Sequence, residues 1–140
     1  MRRKDYTQMR EVLSYSVTPM LLGNNKRSRR LARRLFWRFG LRSSVFDAKS
    51  SRELDFMISS SFSPLPETSD DEFIILGLER FASERDDTTC LLVPCSHKFV
   101  ELIKRNKNKL EARFIIRLPL EIEQSFRIGA KMPYAKKGIS

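Results

Sequence analysis

Short apolar runs alternate along this chain with longer segments in which apolar residues recur every three or four positions. The short runs predict β-strands at Val17–Leu22, Ser43–Asp47, 54–59, 88–94 and 113–118. The longer segments predict amphipathic helices at 28–39, 73–82 and 98–108. Short strands that alternate with helices are typical of a three-layer α/β domain with a short, mostly parallel sheet.

Turn-forming and capping residues separate these elements. Gly23, Asn24 and Asn25 suit a sharp turn into the first helix, and Gly40 is typical of a residue that ends it. The segment 69–72 predicts a capping box at the start of the second helix. Prolines in the segment 60–66 predict a loop without regular structure. Because the run 88–94 is apolar almost throughout, we expect its strand to lie at the centre of the sheet.

Length and composition fit one folded domain. The chain has 140 residues, of which 41% are hydrophobic and 31% are charged. No apolar run approaches the roughly 20 residues of a membrane helix, and no secretory leader follows the basic residues of the N-terminus. These features predict a cytoplasmic protein with no membrane partner. Residues 1–16 carry only a weak helical pattern, and we interpret them as a lead-in to the domain.

The charges are unevenly distributed, with a formal net charge of +10. In one block every charged residue is a cation: Lys26, Arg27, Arg29, Arg30, Arg33, Arg34, Arg38 and Arg42. A later block is dominated by acids: Glu67, Asp70, Asp71, Glu72, Glu79, Glu84, Asp86 and Asp87. We therefore expect distinct basic and acidic regions, and clustered arginines raise nucleic acid as a partner.

The two cysteines and the single histidine indicate no metal site. Cys90 and Cys95 flank an apolar run that we interpret as a strand and its exit, which places their side chains too far apart for an unstrained disulfide. We therefore interpret both as reduced thiols. His97 alone leaves any metal site short of ligands. We also find no phosphate-binding glycine–lysine–serine loop and no nucleophile with an orienting base and acid.

Three loops are candidates for ligand binding, each with a plain structural alternative. Gly23, Asn24 and Asn25 either present amides to an anion at a helix N-terminus or form an ordinary tight turn. Asp47 ends a strand where dinucleotide-binding folds often place a ribose-binding acid, or it is simply solvated. Ser96 and His97 follow the strand at 88–94, at the edge where open α/β sheets place their ligands.

Three longer stretches carry a resemblance to a known family. The first is the segment 19–25, PMLLGNN, with Ala32 and Gly40 downstream. The second runs from 71 to 111 and contains a helix, a buried strand, a polar loop and a lysine-rich helix in order. The third is the tail 131–139, KMPYAKKGI. Together they resemble the pre-ATP-grasp domain, a Rossmann-like domain that opens ATP-grasp carboxylate–amine ligases, including those similar to the carbamoyl-phosphate synthase large subunit and to D-aspartate ligases.

The resemblance implies the N-terminal, substrate-side domain of a ligase that phosphorylates a carboxylate with ATP and lets an amine attack the acyl phosphate. In that family ATP and magnesium bind to later subdomains, so it implies no catalytic residue, cofactor or metal ligand in this chain. The implied partners are missing ATP-grasp core domains and a small amino acid or carboxylate. The implied boundaries are 1–16 for the lead-in, 17–125 for the pre-ATP-grasp domain and 126–140 for the start of the linker or helix into the core.

Two other interpretations stay open at the level of sequence. The arginine-rich helix favours a small basic module that binds nucleic acid or an acidic protein, although no helix-turn-helix, zinc-finger or RNA-recognition motif supports it. Trp37 and Phe39 either stack on bases or are buried. Apolar surface left by a missing core is also compatible with a homodimer. We favour the ligase interpretation over both.

Overall fold

The computed structural model describes the backbone of residues 17–134 and the side chains of residues 17–126. The strands are β1 (Val17–Leu22), β2 (Ser43–Asp47), β3 (Ser60–Pro64), β4 (Thr89–Pro94) and β5 (Ile115–Ile116). The helices are α1 (Lys26–Phe39), α2 (Arg52–Asp55), α3 (Asp71–Ser83), α4 (His97–Arg105), α5 (Lys107–Glu111) and α6 (Pro119–Tyr134). The lead-in predicted at 1–16 and the tail 135–140 lie outside the described residues.

All five described strands form one parallel sheet in the order β3-β2-β1-β4-β5. The chain moves outward from β1 to β3 on one side, and then returns to place β4 and β5 on the other side of β1. This order reverses between β1 and β4, as in doubly wound folds. The three-layer, Rossmann-like α/β architecture predicted from the sequence is therefore confirmed, with a sheet that is parallel throughout.

The sheet divides the apolar core into two layers. Successive residues of β1 alternate between them, with Met20 in one cluster and Leu21 in the other, and both are fully buried. Buried residues of α1, α2 and α6 pack on the face that contains Leu21. Buried residues of α3, α4 and α5 pack on the opposite face. The basic block on α1 and the acidic block around α3 therefore lie in opposite layers.

The third strand differs from its prediction. Residues 54–59 do not form a strand, because Ser51 starts the short helix α2 there and its hydroxyl accepts a hydrogen bond from the Leu54 amide at 3.3 Å. The strand lies instead at Ser60–Pro64, within the segment expected to be a loop. Pro64 is tolerated because it ends a strand at the edge of the described sheet.

Three further elements are corrected. The central strand is β1, and β4 lies beside it. An apolar run indicates only that helices cover both faces of a strand, and this is true of every interior strand of the sheet. The helix expected at 98–108 is divided at Asn106, whose φ of −125° and ψ of 27° are not helical. The last strand is only two residues long, and Pro119 begins α6 rather than closing the strand.

The capping motifs also differ from expectation. At α3 the N-cap is Asp70, whose carboxylate accepts the Glu72 amide at 3.0 Å, so the box expected from Ser69 does not form. A reciprocal capping box occurs instead at α1, between Asn25 and Ser28. Its two bonds are 2.9 and 3.0 Å long. The start of the arginine-rich helix is therefore fixed by two side chains.

Gly40 ends α1 in the left-handed conformation, with φ 70° and ψ 19°, as the sequence predicts. We expect Gly40→Ala to lower the free energy of unfolding by about 1 kcal/mol, because the strain lies in the backbone and no atom would meet the new Cβ. Gly77→Ala in α3 is the matched control: its φ is not positive and its Cβ would meet Leu65 at an ordinary 3.5 Å. Urea denaturation should show the control to be neutral or stabilising, and equal losses at both sites would contradict this explanation.

The helices of the described region include none that combines the length and the apolar character needed to cross a bilayer. The domain boundary expected between residues 125 and 126 lies inside α6, which is continuous from Pro119 to Tyr134.

Candidate functional site

The six candidate ligand-binding residues lie at one edge of the sheet. The carboxyl ends of β1, β2 and β4 are neighbours there, since β1 pairs with both of the other strands. Asp47 is the last residue of β2, and the other five lie in the connections after β1 and β4: Gly23, Asn24, Asn25, Ser96 and His97. The gap between β1 and β4 is the point where the strand order reverses, which is where open α/β sheets bind ligands.

Gly23 brings the loops after β1 and β4 into contact. Its φ is 113°, and its amide donates to the Phe46 carbonyl at 2.7 Å. A Cβ at this position would lie 3.3 Å from the Ser96 hydroxyl oxygen. Glycine is needed here both for the backbone conformation and for the close approach of the second loop.

Asn25 fastens the same two loops. Its side-chain oxygen accepts the Ser28 amide, and its side-chain NH₂ donates to the Cys95 carbonyl at 2.9 Å. The Cys95 amide in turn donates to the Leu22 carbonyl at 2.8 Å. The side chain of Asn25 therefore caps α1 and extends the pairing of β1 with β4 by one further bond.

Asp47 binds backbone amides at the end of β2. One carboxylate oxygen accepts the Asn24 amide at 2.7 Å, and the other accepts the Ala48 amide at 2.7 Å. The side-chain oxygen of Asn24 accepts a hydrogen bond from Arg29 at 3.0 Å. The structure thus gives Asp47 and Asn24 a role in shaping the first loop.

Two helix N-termini open onto this edge. Asn25 is the N-cap of α1 and Ser96 is the N-cap of α4, and no acid occupies the first turn of either helix. The Ser96 side chain makes no capping bond, and His97, the first residue of α4, is exposed. The Gly23, Asn24 and Asn25 amides donate to Phe46, Asp47 and Ser28. The positive ends of the two helix dipoles favour an anion beside the first turns of α1 and α4.

An ion pair beside this edge was not predicted from the sequence. Arg27 donates two hydrogen bonds to the Glu123 carboxylate, at 3.0 and 3.2 Å, and this pairing raises the pKa of the arginine. It ties the start of α1 to α6. The partners are 96 positions apart in the chain, and no local pattern could have joined them.

Both cysteines are buried free thiols. Burial raises the pKa of Cys95 to about 12, and burial is also the largest cause that raises the pKa of Cys90. Each thiol therefore carries very little thiolate at neutral pH.

We expect an aromatic disulfide reagent at pH 8 to label neither cysteine rapidly in the folded protein and to label both in urea. Labelling should accelerate as the pH rises toward these raised pKa values, because the thiolate is the reactive form. Rapid labelling of a thiol in the native protein at pH 8 would contradict the buried environment of that thiol.

Comparisons of this chain with protein-family models, with curated proteins and with solved structures found no match. Among the described residues, no group of three or more histidine, cysteine, aspartate or glutamate side chains is placed to hold a metal ion. The edge places the Ser96 hydroxyl beside Gly23 of the loop after β1, and His97 follows Ser96 at the start of α4.

Proposed function

We propose that this chain is the N-terminal, substrate-side domain of an ATP-dependent carboxylate–amine ligase. The observation that carries the proposal is the convergence of Gly23–Asn25 and Ser96–His97 at the β1–β4 switch point, with two helix N-termini that carry no acid. The resemblance of residues 17–140 to pre-ATP-grasp domains supports it. A carboxylate is one of the anions that helix N-termini bind.

In such an enzyme a carboxylate oxygen attacks the terminal phosphorus of ATP, and ADP leaves. The amine nitrogen then attacks the acyl carbon, inorganic phosphate leaves, and the amine gives up a proton. The part proposed for this chain is to hold the carboxylate substrate with the backbone amides that begin α1 and α4. ATP and magnesium belong to partner ATP-grasp domains, and the proposal places the protein in the cytoplasm, where that nucleotide is abundant.

The first test is a nuclear magnetic resonance titration of the ¹⁵N-labelled chain with aspartate, succinate and alanine. We expect weak binding of the dicarboxylates, with amide shifts concentrated at Gly23, Asn24, Ser96 and His97. A Ser96→Asp variant should abolish these shifts, because a new negative charge at the N-cap repels the ligand. Ser61→Asp, on an exposed position of β3, is the charge-matched control and should preserve them.

ATP with magnesium should give no binding heat in calorimetry of the isolated chain, because its site lies in the partner domains. Clear micromolar binding of ATP would contradict the proposal, and so would dicarboxylate shifts that cluster away from the switch point. A further check is the coding sequence downstream of this chain, which should contain a glycine-rich loop and paired acidic metal ligands.

A further inference from the structure

The outer surface of α1 presents arginines around an exposed tryptophan. Arg30, Arg33, Arg34 and Trp37 follow the spacing i, i+3, i+4 and i+7, which places them on one side of the helix. Trp37 is 72% exposed, and Phe56, just after α2 in the same layer, is 76% exposed. We call these five residues the basic aromatic face.

Three members of this face, Arg33, Arg34 and Trp37, make contacts with neighbouring side chains. The Trp37 ring packs edge-on against Phe36, with ring centroids 5.1 Å apart. The Arg33 guanidinium lies 3.8 Å from the sulfur of Met57, which is adjacent to Phe56 in the chain. Arg34 lies over the Phe126 ring at 5.6 Å. The face therefore spans α1 and the segment after α2.

The positive charge of this face is largely uncompensated. Seven of the fourteen residues of α1 are lysine or arginine, and none is acidic. Within the described region, Arg27 alone among these cations forms an ion pair with a carboxylate, and its partner is Glu123. The exposed acids nearest in sequence to Phe56 are Glu53 and Asp55 of α2, and the Asp55 carboxylate accepts the Ser50 hydroxyl.

These features match the chemistry of an unpaired nucleic-acid strand. Guanidinium groups bind phosphate, while exposed aromatic rings stack on bases that a duplex would keep hidden. The phosphates of such a strand offer partners to the three arginines, and its bases offer flat partners to both exposed rings. We propose that the basic aromatic face binds single-stranded nucleic acid, with phosphates on Arg30, Arg33 and Arg34 and bases on Trp37 and Phe56.

This site is separate from the β1–β4 switch point of the proposed ligase function. Trp37 lies twelve residues beyond Asn25 on the same helix, a distance of about 18 Å at 1.5 Å per residue. Nucleic-acid binding and carboxylate binding are therefore expected to respond to different substitutions, and either can fail while the other holds.

Trp37 is the only tryptophan of the chain, so its fluorescence reports this face directly. We expect fifteen-nucleotide oligo(dT) and oligo(rU) to quench it, while a duplex of the same length quenches it weakly and polyglutamate does not. Comparison of oligo(dT) with oligo(rU) shows whether deoxyribose or ribose is preferred. Binding of either oligonucleotide supports the proposal. A plot of the logarithm of the binding constant against the logarithm of the salt concentration should have a slope of about −0.7 for each phosphate contacted.

Variants divide the contributions of charge and stacking. Measured by anisotropy of a labelled oligonucleotide, Trp37→Ala should weaken binding about tenfold or more, and Trp37→Phe should restore part of it. Arg30→Ala/Arg33→Ala should flatten the salt slope by about 1.4. Lys107→Ala/Lys109→Ala removes the same charge from exposed positions of α5 in the opposite layer and should change little.

Three results would overturn the proposal: unchanged binding by Trp37→Ala, equal losses in the α1 and α5 double variants, or quenching by polyglutamate as strong as that by oligonucleotides. Because Trp37 is mostly exposed, its replacement is not expected to unfold the domain. Circular dichroism of each variant checks this directly.

Discussion

Replacing Gly23 with alanine should lower the free energy of unfolding by about 2 to 3 kcal/mol. A side chain is strained at a φ of 113°, and its Cβ would press on the Ser96 hydroxyl at 3.3 Å. A backbone movement that relieves this contact would also strain the hydrogen bond from the Gly23 amide to the Phe46 carbonyl. Urea or thermal denaturation followed by circular dichroism measures the loss.

A double variant separates the two causes. Gly23→Ala/Ser96→Gly removes the hydroxyl contact and leaves the backbone strain. If backbone strain dominates, Gly23→Ala should lower the free energy of unfolding by nearly the same amount in the Ser96→Gly background as in the wild type. Full recovery would instead assign the whole effect to crowding between the two loops, and no loss in Gly23→Ala would refute the close approach itself.

Asn25→Ala should cost a comparable amount, about 2 to 3 kcal/mol. The N-cap contributes roughly 1 to 2 kcal/mol, and the bond to the Cys95 carbonyl contributes about 1 kcal/mol. One side chain carries both contributions because it lies where α1 begins and where the loop after β4 passes.

Asn25→Asp distinguishes these contributions, since it keeps an oxygen for the Ser28 amide but loses the donor to the Cys95 carbonyl. We expect it to recover about half or more of the stability lost in Asn25→Ala. Asn108→Ala, at an exposed position of α5, is the matched control and should be within about 0.5 kcal/mol of the wild type. Equal stability of Asn25→Ala and the wild type would contradict the fastening role of this residue.

The fold was predictable where local signals were strong. The bounds of β1 and β2 match the predicted segments, because each is a short apolar run bounded by a turn or a polar loop. The prediction of a strand at 54–59 was wrong because the apolar residues of this segment suit a strand as well as a short helix. The Ser51 hydroxyl accepts the Leu54 amide, and the Asp55 amide donates to the Ser51 carbonyl, which shows that a short helix forms there.

The position of the candidate site could be predicted, but its internal bonds could not. Parallel strands bring their carboxyl ends to one edge, so the grouping of Gly23, Asp47 and Ser96 follows from the element order. The bond from Asn25 to the Cys95 carbonyl joins residues 70 positions apart and depends on the tertiary structure. The same holds for Asp47, whose sequence position does not show that both of its oxygens are occupied by amides.

The outer side of β3 is poorly suited to accept another strand. Ser59 and Leu65 bond toward β2, so by alternation Ser60, Phe62 and Pro64 direct their backbone groups outward. Arg42 donates to the Ile58 and Ser60 carbonyls at 3.2 and 3.3 Å, and Pro64 has no N–H to offer. Edge-to-edge aggregation is therefore hindered on this margin by one guanidinium and one imino acid.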